Sequence, residues 1–94
     1  MDNIRIQFVD KLAPDHRHIT HLGSDTYRFT RAEVVRRISG GLNGFYVFDG
    51  TNVAYLEVVN DPYTGPYVRT RPDQTVRDNL LSLPPCPYWL TLVA

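Results

Sequence analysis

Apolar and polar positions alternate from Ile4 through Arg5, Ile6 and Gln7 to Phe8. Successive side chains of a strand point to opposite faces, so the alternation predicts a half-buried first strand ending near Leu12. Ala13-Pro14-Asp15 breaks it. His16 to Leu22 is β-branched enough for a second strand, Gly23-Ser24-Asp25 supplies the turn after it, and Tyr27 and Phe29 lead into a helix. Thr30 is placed as the N-cap with Glu33 three residues on, so each side chain can satisfy a backbone N–H of the other, while Phe29 and Val34 occupy the hydrophobic-staple positions. The helix is therefore expected to start at Arg31. Val34, Val35 and Ile38 share one face, Arg36 and Arg37 fall in the last turn where cations suit the helix dipole, and Gly40-Gly41 gives the stop. At roughly nine residues such a helix does not persist alone, so it must lie on a sheet.

That sheet follows. Phe45 to Phe48 and Val53 to Val59 read as strands joined through Asp49-Gly50-Thr51-Asn52. A loop of even length pairs odd with even positions, which puts Phe45, Val47, Ala54, Leu56 and Val58 on one side, assigned to the helix. Tyr46, Phe48, Val53, Tyr55, Glu57 and Val59 fall on the other. After a turn at Asn60 to Gly65, Tyr67 to Thr70 returns as the next strand. If Glu57 pairs with Arg69, then Val59 pairs with Tyr67. Tyr88 to Val93 offers a last strand. The pattern predicts an α+β fold: one antiparallel sheet of about five or six strands, with one short helix packed on one face.

The stretch from Tyr67 to Cys86, Y-V-R-T-R-P-D-Q-T-V-R-D-N-L-L-S-L-P-P-C, organises the rest: a strand stopped by Pro72, turns braced by Asp73, Asp78 and Asn79, then an apolar clamp at Leu80, Leu81 and Leu83. With Ile19-Thr20-His21-Leu22, the Thr30–Glu33 helix start, Phe45-Tyr46-Val47 and the closing Asn79-Leu80-Leu81, Leu83-Pro84 and Cys86, it resembles a group of small microbial proteins, domain of unknown function 3892 (DUF3892). The resemblance implies no established catalytic residue. The chain departs from the pattern in a second proline before Cys86 and in the apolar tail Pro87 to Ala94.

With 94 residues the chain has room for a single domain, residues 1–94. Its formal net charge is zero, which gives no general attraction to nucleic acid; such a partner needs a local basic patch. One cysteine excludes an internal disulfide, and with neither a leader-like segment nor a long apolar span a cytoplasmic location is expected, with no membrane contact. Every charged side chain lies between Asp2 and Asp78. The uncharged run Asn79 to Ala94 is expected to be internal or, as the minority reading, the contact of a homodimer.

The best candidate site is the second sheet face, with Tyr46, Tyr55, Glu57, Tyr67 and Arg69 side by side and Arg71 following. Aromatic rings with a polar tip beside arginines suit a protein partner or an anionic small molecule such as a nucleotide. A non-catalytic binding module is therefore expected. The rival is a small hydrolase or nucleotide-processing enzyme centred on His21, Asp73 and Asn79, and a nucleic-acid binder is the third reading. His16 and His18 share a strand parity that His21 lacks, which favours solvated histidines over a metal site. Without a Gly-rich phosphate loop, a G-x-S-x-G, paired cysteines or an RNA-binding aromatic signature, neither cofactor nor catalytic residue is assigned.

Overall fold

A computed structural model of the chain describes residues 2–71 and 80–93. It contains eight strands and one α-helix among the described residues: β1 (Asp2–Arg5), β2 (Phe8–Lys11), β3 (Ile19–Gly23), β4 (Tyr27–Thr30), α1 (Arg31–Ser39), β5 (Asn43–Phe48), β6 (Val53–Val59), β7 (Tyr67–Thr70) and β8 (Thr91–Val93). The class is α+β, but the strands form two four-stranded sheets rather than one larger sheet. Sheet A has the order β1-β5-β6-β7 and sheet B the order β2-β3-β4-β8.

The first apolar run explains the difference. It is two strands, not one: β1 lies parallel to β5, whereas β2 lies antiparallel to β3. The chain changes sheets at Ile6 and Gln7, where the Ile6 N–H donates to the Tyr46 carbonyl at 2.8 Å and the Gln7 N–H to the Gly23 carbonyl at 2.8 Å. Alternation survives the switch, so the sequence pattern shows no seam. Nor is the pairing wholly antiparallel, since β8 also runs parallel to β4. Tyr27–Thr30 is itself a strand ahead of the helix, and His16–His18 is a 3-10 turn, capped by Asp15, rather than the start of a strand.

Helix α1 starts at Arg31 and ends at Ser39, with Thr30 accepting from the Glu33 N–H at 3.1 Å and Gly41 in the left-handed region at φ 70°. It packs against strands of both sheets. Val34 is fully buried in a core that joins Ile6, Val9 and Phe29 to Phe45, Val47 and Leu56, with Val35 and Ile38 partly buried beside it. The Phe29 and Phe45 rings meet edge to face with centroids 5.4 Å apart. The hairpin has the expected register, Tyr46 opposite Tyr55 and Val47 opposite Ala54. Its loop is held by Asp49, whose carboxylate accepts from the Asn52 and Thr51 N–H groups and is kept below its ordinary pKa by them.

The uncharged C-terminal run divides. Leu80 is buried, Leu81 and Leu83 pack on the core, and Leu90 is sealed, whereas Tyr88, Trp89 and Leu92 stay exposed. Residues 84–90 form a strap on sheet B. The Val9 N–H donates to the Pro84 carbonyl at 2.9 Å, and Gly23 leaves the space that the Leu90 and Cys86 side chains occupy. No helix among the described residues is long and apolar enough to cross a membrane.

Candidate functional site

The outer face of sheet A follows from register. Arg5 stands beside Tyr46, Tyr46 beside Tyr55, and the Arg71 N–H bonds to the Tyr55 carbonyl at 3.0 Å. One cross-strand row therefore reads Arg5, Tyr46, Tyr55, Arg71, with a cation at each end, Arg71 just past β7, and a phenol on each central strand. The two tyrosine rings lie 5.8 Å apart at 51°. The Arg71 guanidinium sits 5.8 Å above the Tyr55 ring, and that of Arg5 lies 5.1 Å above Phe48. Such contacts draw a cation to the negative face of the ring without neutralising it. Neither Arg5 nor Arg71 forms an ion pair among the described residues.

The neighbouring row pairs Glu57 with Arg69 as expected, the guanidinium Nε donating to the carboxylate at 3.0 Å. Asn3 lies over Gly44 and donates to the Tyr55 hydroxyl at 3.3 Å; a Cβ on Gly44 would come within 2.6 Å of the Asn3 side-chain oxygen. Glycine is therefore what lets Asn3 fix the Tyr55 ring.

Tyr67 is a correction to the expected face. It pairs with Val59 as anticipated but is only 9% exposed, because the 3-10 turn at His16–His18 packs on β7. Arg17 reaches Asp61 at 3.5 Å. Tyr67 thus anchors a turn and leaves the open surface to Tyr46 and Tyr55. Arg5 and Asn3 were missing from the sequence-based site. Their parity was legible, but nothing in the alternation says that β1 docks in parallel on β5.

The rival constellation is divided. Asp73 and Asn79 lie outside the described residues. His21 sits on sheet B with Asp10 and Arg28, beside a groove of about 520 Å3 lined also by Thr20 and Pro85. Arg28 donates to one Asp10 oxygen through Nε at 3.0 Å and Nη2 at 2.8 Å, and the Cys86 N–H donates to the other at 2.9 Å. Burial would raise the Asp10 pKa, but the Cys86 N–H and Arg28 outweigh it and hold the carboxylate below its ordinary value. Arg28 Nη2 lies 3.2 Å from His21 Nδ1, an acceptor there because a guanidinium has only donors. Burial and Arg28 lower the His21 pKa, and a ring that accepts at Nδ1 carries its proton on Nε2. Burial and the Asp10 carboxylate push the Cys86 thiol up to about 11. A thiol held protonated is a poor nucleophile, and a histidine whose Nδ1 lone pair is occupied has only an N–H to offer a ligand. Among the described residues no group of three or more His, Cys, Asp and Glu side chains is placed to hold a metal ion.

A family model matches residues 5–84. The chain belongs to this family, described as Protein of unknown function (DUF3892). No match is found among curated proteins or solved structures. The matched DUF3892 span takes in the row from Arg5 to Arg71, the Glu57–Arg69 pair and His21, and it ends at Pro84, ahead of Cys86 and most of the strap. The outer face of sheet A thus lies almost wholly within what DUF3892 defines, Asn3 excepted.

Proposed function

We propose that this DUF3892 protein is a small non-catalytic binding module that holds an anionic ligand of the nucleotide kind on the outer face of sheet A. One observation carries the reading: the row Arg5, Tyr46, Tyr55, Arg71, in which two neighbouring phenol rings are flanked by two guanidinium groups without carboxylate partners among the described residues. A ring offers a π-face to a base, and an arginine offers forked donors to a phosphate. Glu57 neutralises Arg69 at rest and gives the pair a polar edge beside the row. A protein partner is the second reading, favoured by Phe48 and Val53, 39% and 41% exposed at the hairpin end of the same face.

A thermal-shift screen with nucleoside mono-, di- and triphosphates tests the first reading. Stabilisation of the parent chain that disappears in Tyr55→Leu and in Arg71→Gln, with the ligand-free melting temperature of each variant unchanged, is the expected result. A shift retained in both variants rejects the face.

A further inference from the structure

The spacing of the row says more about the ligand, on the premise that the face binds nucleotides at all. We infer that its natural occupant is single-stranded nucleic acid, bound with two successive bases spread over Tyr46 and Tyr55. Three features point there. The rings are 5.8 Å apart, wider than the rise of about 3.4 Å between stacked bases of one duplex strand. Bases resting on them must be splayed, which a single strand permits and a duplex forbids. Next, Arg5 on β1 and Arg71, one residue past β7, end the row with their backbones three strand spacings or about 14 Å apart. One mononucleotide phosphate reaches one of them; a strand running across β1, β5, β6 and β7 places a phosphate near each. Finally, among the described residues of these two cross-strand rows, Arg5, Arg69 and Arg71 stand against the one carboxylate of Glu57. The chain as a whole has zero formal charge, so the fold concentrates here a positive surplus that composition conceals.

The rest of the geometry suits the role. Asn3 holds the Tyr55 hydroxyl, so the ring is ordered before a ligand arrives and less freedom is lost on binding. The Arg5 and Arg71 guanidinium groups rest over Phe48 and Tyr55, and turning from those rings to a phosphate frees the Tyr55 face for a base. Base-to-aromatic stacking tolerates any sequence, so the expected preference is for strandedness rather than for particular bases. RNA and DNA share this chemistry and are separated by experiment.

The test is fluorescence anisotropy with labelled ten-nucleotide oligouridylate and oligothymidylate, their duplexed forms, and uridine monophosphate as competitor, across a salt series. Binding of one or both single strands, weaker binding of the duplexes and weaker competition by the mononucleotide are expected. Tyr46→Leu and Tyr55→Leu should each weaken binding roughly tenfold. Arg5→Gln and Arg71→Gln should each flatten the slope of log affinity against log salt by about 0.7, the contribution of one phosphate in a single strand. Circular dichroism melts of all four variants establish that they fold. Equal binding of mononucleotide and decamer overturns the single-strand assignment and leaves the nucleotide-binding reading standing. So does preference for the duplex. Absence of binding by every probe at low salt, or binding untouched by the four substitutions, overturns both.

Discussion

Glu33 shows how a single residue can be correctly placed by sequence and still do something unforeseen. Its spacing from Thr30 marks the start of α1, and Thr30 does accept from its N–H. The reciprocal bond of a capping box does not form. The Glu33 carboxylate turns instead to Arg36, through Nε at 3.1 Å and Nη2 at 2.6 Å, and to Arg37 Nε at 2.9 Å. Three bonds from two cationic partners one turn along the helix outweigh a single bond from one neutral backbone N–H, so the arginines win. Hydrogen bonds from Arg36 and then Arg37 bring the Glu33 pKa from 4.5 to about 2. A carboxyl group held lower in the folded than in the unfolded chain stabilises the fold fully above the unfolded value and loses that contribution as pH falls through the folded one. Acidification from pH 4.5 to about 2 should therefore weaken the native state through Glu33. Urea midpoints measured across that range should fall for the parent chain and fall less steeply for Glu33→Gln. Parallel curves for the two proteins would show that the Glu33 cluster contributes nothing to acid sensitivity.

At the scale of elements, the sequence disclosed what is local and hid what is not. The limits of α1, the four-residue hairpin loop, the burial of Phe45, Val47 and Leu56, and the Glu57–Arg69 and Val59–Tyr67 pairs all follow from spacing within one segment or between neighbours in the chain. The parallel pairs β1–β5 and β4–β8 join distant segments, and period-two alternation assigns faces without naming partners. This is why Tyr46, Tyr55 and Arg71 of the proposed row were readable, and why Arg5 and Asn3 were not. It is also why the burial of Tyr67 went unseen, since the turn covering it lies far away in sequence. Gly23 illustrates the same limit on β3. It reads as an ordinary turn residue, yet a Cβ there would come within 2.9 Å of Leu90 Cδ1 and 3.1 Å of both Cys86 Sγ and Phe8 Cβ. The two strap atoms can yield, but the Phe8 Cβ is fixed to the backbone of β2. Gly23→Ala should therefore cost about 1–3 kcal/mol, as overpacking of a filled site does. Chemical unfolding measures the loss, and a variant as stable as the parent would mean that the strap is loosely seated.

For the molecule as a whole, the arrangement of two sheets separates what holds the fold together from what is proposed to bind. The strap lies on sheet B: Pro84 bonds to Val9, the Cys86 N–H bonds to Asp10, and the Thr91 N–H bonds to the Thr26 carbonyl at 3.0 Å. Leu90 is 7% exposed against that surface. Truncating a buried leucine removes its transfer free energy and leaves a cavity, so Leu90→Ala should cost about 2–5 kcal/mol. Against a total stability of roughly 5–15 kcal/mol, that loss is large enough to lower the melting temperature by many degrees. The proposed recognition row is on sheet A, whose strands β1, β5, β6 and β7 make no ladder with any strand of sheet B among the described residues. Well below its melting temperature, Leu90→Ala should therefore bind an oligonucleotide with the affinity of the parent chain. Tyr55→Leu should do the reverse, melting like the parent and binding poorly. Measuring both properties on both variants separates stability from recognition. If Leu90→Ala weakened binding as much as Tyr55→Leu did, at a temperature where circular dichroism shows it folded, the ligand would have to engage sheet B or the strap, and the row from Arg5 to Arg71 would not be the recognition surface.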